Sequence, residues 1–182
     1  MHGFHGRILT VDLTRRSFAI EATDPAHLDA YLGGKGLATR LLLDRNPAGV
    51  DPLAPENNLI FAAGPLCGGA AWGASRYGVF TKSPQTGFYT ESYSGGRTPQ
   101  AVDAAGFDAV ILTGAADALT GLTIHPDGCT FHDATELAGL DADAAEDAAR
   151  ARFVLPREDA KRVGAVVIGP AGENLCRLAM IA

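Results

Sequence analysis

Segments typical of β-strands follow one another along this chain in runs and do not alternate one for one with helices. Apolar alternation and short apolar runs predict strands at 7–13, 17–21, 59–63, 76–81, 87–92, 107–113, 163–168 and 175–181, and a hairpin at 122–132. Helices are predicted at 36–44, at 142–152, and after the N-caps Asp24 and Thr98, each of which precedes a proline. This order of elements favours an α+β fold over a doubly wound nucleotide-binding fold.

The length and charge of the chain restrict its organisation and its partners. A chain of 182 residues is expected to form one domain with a hydrophobic core, which assigns 1–182 to a single unit. The formal net charge of −6, with both signs scattered, gives no support to a nucleic-acid partner. An anionic cofactor would therefore need local donors, such as an arginine and backbone N–H groups.

Targeting signals and cysteine clusters are not evident in the sequence. The N-terminus has no apolar signal region, and the longest apolar stretch, 59–72, is too short and too rich in glycine and proline to cross a bilayer. We therefore expect a soluble cytoplasmic protein with no membrane partner. Cys67, Cys129 and Cys176 lie far apart, so they are expected to be reduced structural residues and not metal ligands.

Two glycine-rich turns are candidates for ligand binding. Gly33-Gly34-Lys35-Gly36 lies between two predicted helices, which indicates a helix–helix corner and not a dinucleotide or Walker motif. Ser94-Gly95-Gly96 follows a strand and precedes a helix, where free N–H groups favour a phosphate, although a simple tight turn would explain the same residues. The two turns resemble each other in sequence, and segment 18–23 resembles segment 131–135. These short similarities weakly indicate an internal duplication.

Two large side chains between the strands have alternative roles. Arg76 begins a predicted strand after a small-residue stretch, so its guanidinium could hold a planar or anionic group or form a surface salt bridge. Trp72, the single tryptophan, could cover a flat ligand or anchor its loop. The segment 177–182 predicts a strand that runs straight into the C-terminus, from which we expect a truncated chain.

A series of motifs, weak one by one, occurs in one order along essentially the whole chain. They are Gly6-Arg7-Ile8-Leu9-x-Val11-Asp12-Leu13-Thr14, Tyr31-Leu32-Gly33-Gly34-x-Gly36-Leu37-Ala38, Val50-Asp51-Pro52-Leu53-x-Pro55-Glu56-Asn57, Ala63-Gly64-Pro65-Leu66, Ser75-Arg76-Tyr77, Thr81-Lys82-Ser83-Pro84-x-Thr86-Gly87, Ser94-Gly95-Gly96, Ala105-Gly106-Phe107-Asp108-Ala109-Val110 and Ile168-Gly169-Pro170-Ala171-Gly172-Glu173-Asn174-Leu175. Together they resemble the N-terminal domain of the aldehyde:ferredoxin oxidoreductase family, whose cofactor is a tungsten or molybdenum bis-pterin.

The resemblance implies a fold and a cofactor site. The fold is an α+β platform of two packed, mostly antiparallel β-sheets with a few helices, on which the bis-pterin lies. Arg76 would reach the pterin, between it and a [4Fe-4S] cluster. Tyr93, Ser94, Gly95 and Gly96 would contact the pterin phosphates, which a Mg²⁺ ion held by backbone carbonyl groups bridges. The family commonly has Asn where this chain has Tyr93, so a backbone contact there would survive but a side-chain contact would not.

The resemblance also implies partners. In the family an aldehyde is oxidised to a carboxylic acid, and electrons pass through the metal and the cluster to ferredoxin. The cluster cysteines and proton-transfer residues belong to later domains, which are not in this chain, so these 182 residues alone are expected to be inactive. The alternatives are a stand-alone, non-catalytic scaffold on the same platform and, with less support, a phosphate- or nucleotide-binding protein that lacks the dinucleotide fingerprint.

Overall fold

A computed structural model describes residues 3–154 and 163–182. Its larger sheet is made of β1 (Arg7–Asp12), β2 (Ser17–Ala22), β3 (Leu59–Ala63), β4 (Tyr77–Lys82), β5 (Tyr89–Ser94) and β6 (Ala109–Thr113). The spatial order is β2-β1-β6-β3-β4-β5, and every neighbouring pair is antiparallel except the parallel pair β1–β6. A second sheet is the antiparallel hairpin of β7 (Thr120–His125) and β8 (Gly128–Asp133). These two sheets confirm the predicted α+β class.

Five α-helices accompany the sheets in the described part of the chain. They are α1 (Pro25–Tyr31), α2 (Gly34–Arg45), α3 (Thr98–Ala104), α4 (Ala142–Phe153) and α5 (Pro170–Glu173). Asp24 caps α1 as predicted, because its carboxylate accepts a hydrogen bond from the backbone N–H of Ala26 at 2.9 Å. No helix in the described residues is both long enough and apolar enough to span a bilayer.

The larger sheet is buried on both faces because successive strand residues point to opposite sides. In β1, Ile8 packs into a core with α1 and α2, whereas Leu9 and Val11 pack into a second core with the β7–β8 hairpin. In β6, Ile111 and Val110 divide between the two cores in the same way. Helices α1 and α2 therefore cover one face of the larger sheet and the small sheet packs on the other, as predicted for a two-sheet platform.

The end of the chain differs from the prediction. The prediction of strands at 163–168 and 175–181 is wrong. The described residues there form only one antiparallel bridge, between Ile168 and Ile181. Helix α5 lies between them. Leu178 and Met180 are 66% and 82% exposed, so the apolar alternation has no sheet face to pack against. A hydrophobic pattern alone does not make a strand where no neighbouring strand supplies hydrogen bonds.

The start of α3 also differs by one residue. Thr98, the predicted N-cap, is the first helical residue, and Arg97 occupies the cap position without a side-chain hydrogen bond. The Thr98 hydroxyl instead donates to the carbonyl of Ala165 at 3.4 Å, which draws it away from the helix end. The pair Gly33–Gly34 forms the expected corner between α1 and α2. The internal duplication stays a prediction.

Candidate functional site

A hollow of about 450 Å³ lies where the edge strand β5 ends and turns into α3. The start of β4, the β5–α3 turn, α4 and the C-terminal segment each contribute to its wall. The lining residues are Tyr77, Ser94, Gly95, Gly96, Arg97, Thr98, Glu146, Arg150, Ala165 and Ala182. The hollow therefore contains three of the five residues that the sequence predicts for cofactor binding, Ser94, Gly95 and Gly96.

The turn into α3 depends on glycine. Gly96 has φ +76°, a conformation that residues with a Cβ rarely adopt, and a Cβ built there would meet nothing within 4 Å. A Cβ at Gly95 would lie 3.8 Å from the carbonyl oxygen of Ser75 and would also have room. Glycine at position 96 is therefore required by the backbone and not by crowding, and it leaves the turn open to a bulky ligand.

Two guanidinium groups and one carboxylate line the hollow. Arg97 is exposed at the turn, while Arg150 projects from α4 and is half-buried. Arg150 Nη2 donates to Glu146 Oε1, one helical turn earlier. The Arg150 Nε atom is buried and has no hydrogen-bond partner among the described residues. The terminal guanidinium nitrogens of Arg97 and Arg150, together with the Ser94 hydroxyl, suit a phosphate, so the residues present fit the phosphorylated end of a pterin cofactor.

Arg76 lies next to the hollow but does not line it. Tyr77 pairs with Ser94 across β4 and β5, which places the backbone of Ser75 and Arg76 beside Gly95. The Arg76 backbone N–H donates to Ala74 at 2.9 Å, and its exposed guanidinium has no hydrogen bond or ion pair with any described residue. The alternative role considered for Arg76, a surface salt bridge, is therefore not formed within the described residues. The role of Arg76 at a cofactor stays a prediction.

The Tyr93 side chain lies on the face of the sheet opposite to Ser94. Its ring packs edge-on against Phe80, with centroids 5.9 Å apart, in the core that α2 covers. Burial raises the pKa of the Tyr93 phenol, and the neighbouring Glu91 carboxylate raises it further. The ring therefore lies against this face of the sheet, with 46% of the residue exposed, and the backbone of Tyr93 leads into the turn at the hollow.

Tyr77 forms the floor of the hollow beside the turn. It is 6% exposed, and its ring stacks on Phe61 with centroids 6.3 Å apart. Burial raises the pKa of the Tyr77 phenol, and hydrogen bonding to the Ser94 hydroxyl partly offsets this. The phenol is therefore a neutral hydrogen-bonding group near neutral pH and adds no negative charge that would repel an anion.

Trp72 and the cysteines do not contribute ligands to this hollow. Trp72 is fully exposed, so it does not anchor its loop. Its other predicted role, covering a flat ligand, stays a prediction. Cys67 and Cys129 are buried free thiols, and Cys176 is an exposed one. Within residues 3–154 and 163–182, His, Cys, Asp and Glu side chains do not gather in any group of three or more that could hold a metal ion.

Sequence reasoning did not identify Arg97, Glu146 and Arg150 as residues of the site. The i,i+4 spacing of Glu146 and Arg150 on an alanine-rich helix predicts an ion pair, but nothing in the sequence places α4 beside the turn at Ser94. Arg97 follows the glycine pair directly, and that neighbourhood could have indicated it.

The fold and the hollow define a two-sheet α+β domain with a polar, arginine-lined depression at the end of its edge strand. Residues 8–182 match the family model for the N-terminal domain of aldehyde ferredoxin oxidoreductase. The chain is 38% identical over 181 residues to a tungsten-containing aldehyde ferredoxin oxidoreductase from Pyrococcus furiosus, and 37% identical to one from Thermococcus kodakarensis. It belongs to the aldehyde ferredoxin oxidoreductase family, a family of oxidoreductases, and corresponds to the N-terminal domain.

Two further relatives have names that describe other reactions. The chain is 30% identical to the WOR-like subunit of an aliphatic sulfonate oxidoreductase from Pyrococcus furiosus. It is also similar to a chain in the solved active-site complex BamBC of benzoyl coenzyme A reductase with 1,5-dienoyl-CoA, at a TM-score of 0.90 and 38% identity over the whole of this chain and 27% of that one. All of this chain is matched, but it spans only 29% of the length of the first two relatives.

Proposed function

We propose that this domain holds a tungsten bis-pterin cofactor by its phosphate groups at the turn Ser94-Gly95-Gly96. The observation that carries the proposal is the hollow itself, which combines a left-handed, unobstructed Gly96 with two guanidinium groups. Backbone amides that a glycine leaves accessible, together with arginine, form a common arrangement for binding phosphate. Tungsten is favoured over molybdenum because the relatives from Pyrococcus and Thermococcus are tungsten-containing enzymes.

Arg76 is proposed to contact the pterin from outside the hollow, between it and a [4Fe-4S] cluster held elsewhere. Its guanidinium is exposed and free of hydrogen bonds to the described residues, and its backbone lies beside Gly95. A Mg²⁺ ion that bridges the pterin phosphates would take the backbone carbonyl of Tyr93, since the Tyr93 ring is packed on Phe80. This arrangement needs no side-chain contact from position 93, where the family commonly has Asn.

The proposed activity of the whole protein is the oxidation of an aldehyde to a carboxylic acid, with electrons passing to ferredoxin in the cytoplasm. When bound, the cofactor supplies the two-electron chemistry, while the protein supplies placement and electrostatics. The residues of this chain would fix the phosphate arm and provide one wall of the path to the cluster. Further domains, which supply the cluster ligands, are part of the proposal because the relatives are more than three times as long.

The test is a metal and pterin analysis of the whole protein that contains this domain, purified anaerobically from cells grown with tungstate. Arg76→Ala is expected to lower the tungsten content or the rate of ferredoxin reduction while leaving the circular dichroism spectrum unchanged. Arg15→Ala is the matched control, because Arg15 is also exposed, lies in the β1–β2 turn at the opposite edge of the larger sheet, and pairs only with Asp12 among the described residues. Normal tungsten content together with normal ferredoxin reduction in Arg76→Ala would refute the role of Arg76, and a wild-type protein with neither tungsten nor pterin would refute the cofactor.

A further inference from the structure

Arg150 is the one arginine of α4 that lines the hollow at the Ser94 turn. Its Nη2 donates to Glu146, and its buried Nε has no partner among the described residues. A guanidinium has five N–H donors in a fixed plane, and a single carboxylate contact leaves most of them available. Leaving the buried Nε without an acceptor costs free energy, so the contact with Glu146 does not satisfy this guanidinium, and Arg150 is a lining residue of the hollow.

The neighbouring Arg152 shows that an arginine on α4 does not line the hollow merely because it belongs to this helix. Arg152 pairs with Glu136 and lies against the ring of Phe153, and it does not line the hollow. Among the described residues Arg150 pairs only with Glu146 of its own helix, which lines the hollow beside it. The two arginines, two residues apart, thus have opposite surroundings.

The charges of the hollow point to an anion. Arg97 and Arg150 face one carboxylate, Glu146, so the lining side chains carry one net positive charge in a chain whose net charge is −6. Because the remainder of the chain is acidic, this local excess cannot reflect a general basic surface. Arginine binds phosphate through two parallel N–H groups, a geometry that a lysine does not reproduce.

We propose that Arg150 is a phosphate-binding residue of this domain, and that Glu146 holds its guanidinium in place until a phosphate oxygen replaces the carboxylate as its acceptor. The ligand class is a phosphate monoester or diphosphate on the arm of the bound cofactor, so the inference rests on the proposed function. Arg150 would approach the phosphate from α4 and the backbone amides would approach it from the Gly95–Gly96 turn, since both line the same hollow.

The test measures binding of inorganic pyrophosphate to the full 182-residue chain by isothermal titration calorimetry at low ionic strength. Arg150→Gln is expected to weaken binding about tenfold, the effect of losing a charge-assisted pair of hydrogen bonds. Arg152→Gln, the matched control, is expected to stay within about twofold, because Arg152 lies outside the hollow. Glu146→Gln is expected to tighten binding about threefold, since it removes a negative charge and releases Arg150.

The opposite signs expected for Arg150→Gln and Glu146→Gln separate binding from a structural ion pair, whose loss would act in the same direction in both variants. Arg150→Lys, which keeps the charge but not the planar fork, is expected to bind with intermediate affinity and serves as the test should Arg150→Gln fail to fold. Wild-type affinity in Arg150→Gln, with loss of binding in Gly96→Ala, would overturn this inference and leave the proposed function standing. Absence of pyrophosphate binding in the wild-type chain would overturn both.

Discussion

The carboxylate of Asp108 accepts a hydrogen bond from the hydroxyl of Thr23 at 2.8 Å, although 85 residues separate the two in the sequence. Both residues are buried, at 5% and 4% exposure. Asp108 also accepts hydrogen bonds from the backbone N–H groups of His5, at 2.8 Å, and Arg7, at 3.2 Å. One side chain therefore joins the start of β1, the end of β2 and the segment before β6.

Asp108→Ala is expected to destabilise the domain by about 3 kcal/mol, because three donors lose their acceptor, two of them from the backbone. Urea denaturation followed by circular dichroism measures the free energy of unfolding. Asp117→Ala is the control, since Asp117 is exposed and has no hydrogen bond among the described residues. A loss of equal size in the two variants would contradict the role of Asp108.

Gly96→Ala is expected to remove phosphate or cofactor binding with only a small loss of stability. The added methyl group would occupy the open space above the turn and would strain a backbone with φ +76°. Gly49 offers a matched control, because it has φ +75°, open surroundings and a position in a loop that does not line the hollow. Both substitutions are expected to cost about 1 kcal/mol of stability. Only Gly96→Ala is expected to abolish pyrophosphate binding, which calorimetry measures. Equal binding by the two variants would exclude the turn as the phosphate site.

The carboxyl group of Glu91 is expected to titrate below its ordinary range. Lys35 Nζ lies 2.8 Å from Glu91 Oε1, and this hydrogen bond is the main reason that the pKa of Glu91 is lowered. The same contact raises the pKa of Lys35. Stability from a lowered carboxyl pKa is present above the unfolded pKa of Glu91 and is lost as the pH falls through the folded one. Stability from the raised amine pKa is present below the unfolded pKa of Lys35 and is lost as the pH rises through the folded pKa.

Carboxyl-detected NMR titration checks this network. Lys35→Met is expected to move the Glu91 midpoint upward, towards its ordinary value, whereas Arg15→Met, which removes an exposed cation elsewhere, leaves it in place. An unchanged Glu91 midpoint in Lys35→Met would show that the ion pair does not persist in solution.

The three thiols are expected to react at very different rates. Burial raises the thiol pKa of both Cys67 and Cys129. The nearby Asp103 carboxylate raises the pKa of Cys67 further. Cys176 is exposed. Because the thiolate is the reactive form, iodoacetamide near neutral pH should label Cys176 first and the other two only after denaturation. Mass spectrometry of timed digests measures this order, and equally rapid labelling of Cys67 in the folded chain would contradict it.

The sequence was most informative where local signals and burial agree. The strand at 59–63 is found at the predicted residues because a short apolar run between loops has few alternatives. The helix after Asp24 begins as predicted, because an N-cap carboxylate followed by proline specifies a helix start through local contacts alone. The glycine turn after β5 was identified from the same kind of local pattern.

Features that depend on distant neighbours could not be predicted from the sequence. Strands expected near the C-terminus need partners, and Ile168 and Ile181 have only each other. The position of Arg150 in the hollow depends on how α4 packs against the rest of the fold, which no local pattern encodes. The orientation of Arg76 outside the hollow depends likewise on the path of the loop before β4, where small residues give no preferred direction.

The parallel pairing of β1 with β6 has a consequence for synthesis of the protein. Ile8 pairs with Ala109, so the first strand finds its inner neighbour only after Ala109 has left the ribosome. Until then the β1–β2 hairpin exposes Leu9 and Val11, which become fully buried in the finished domain. Domains with such long-range pairing fold slowly, and their early strands are prone to aggregate at physiological concentrations. Chaperone binding to the nascent N-terminal hairpin is therefore expected to last until residue 113 has emerged.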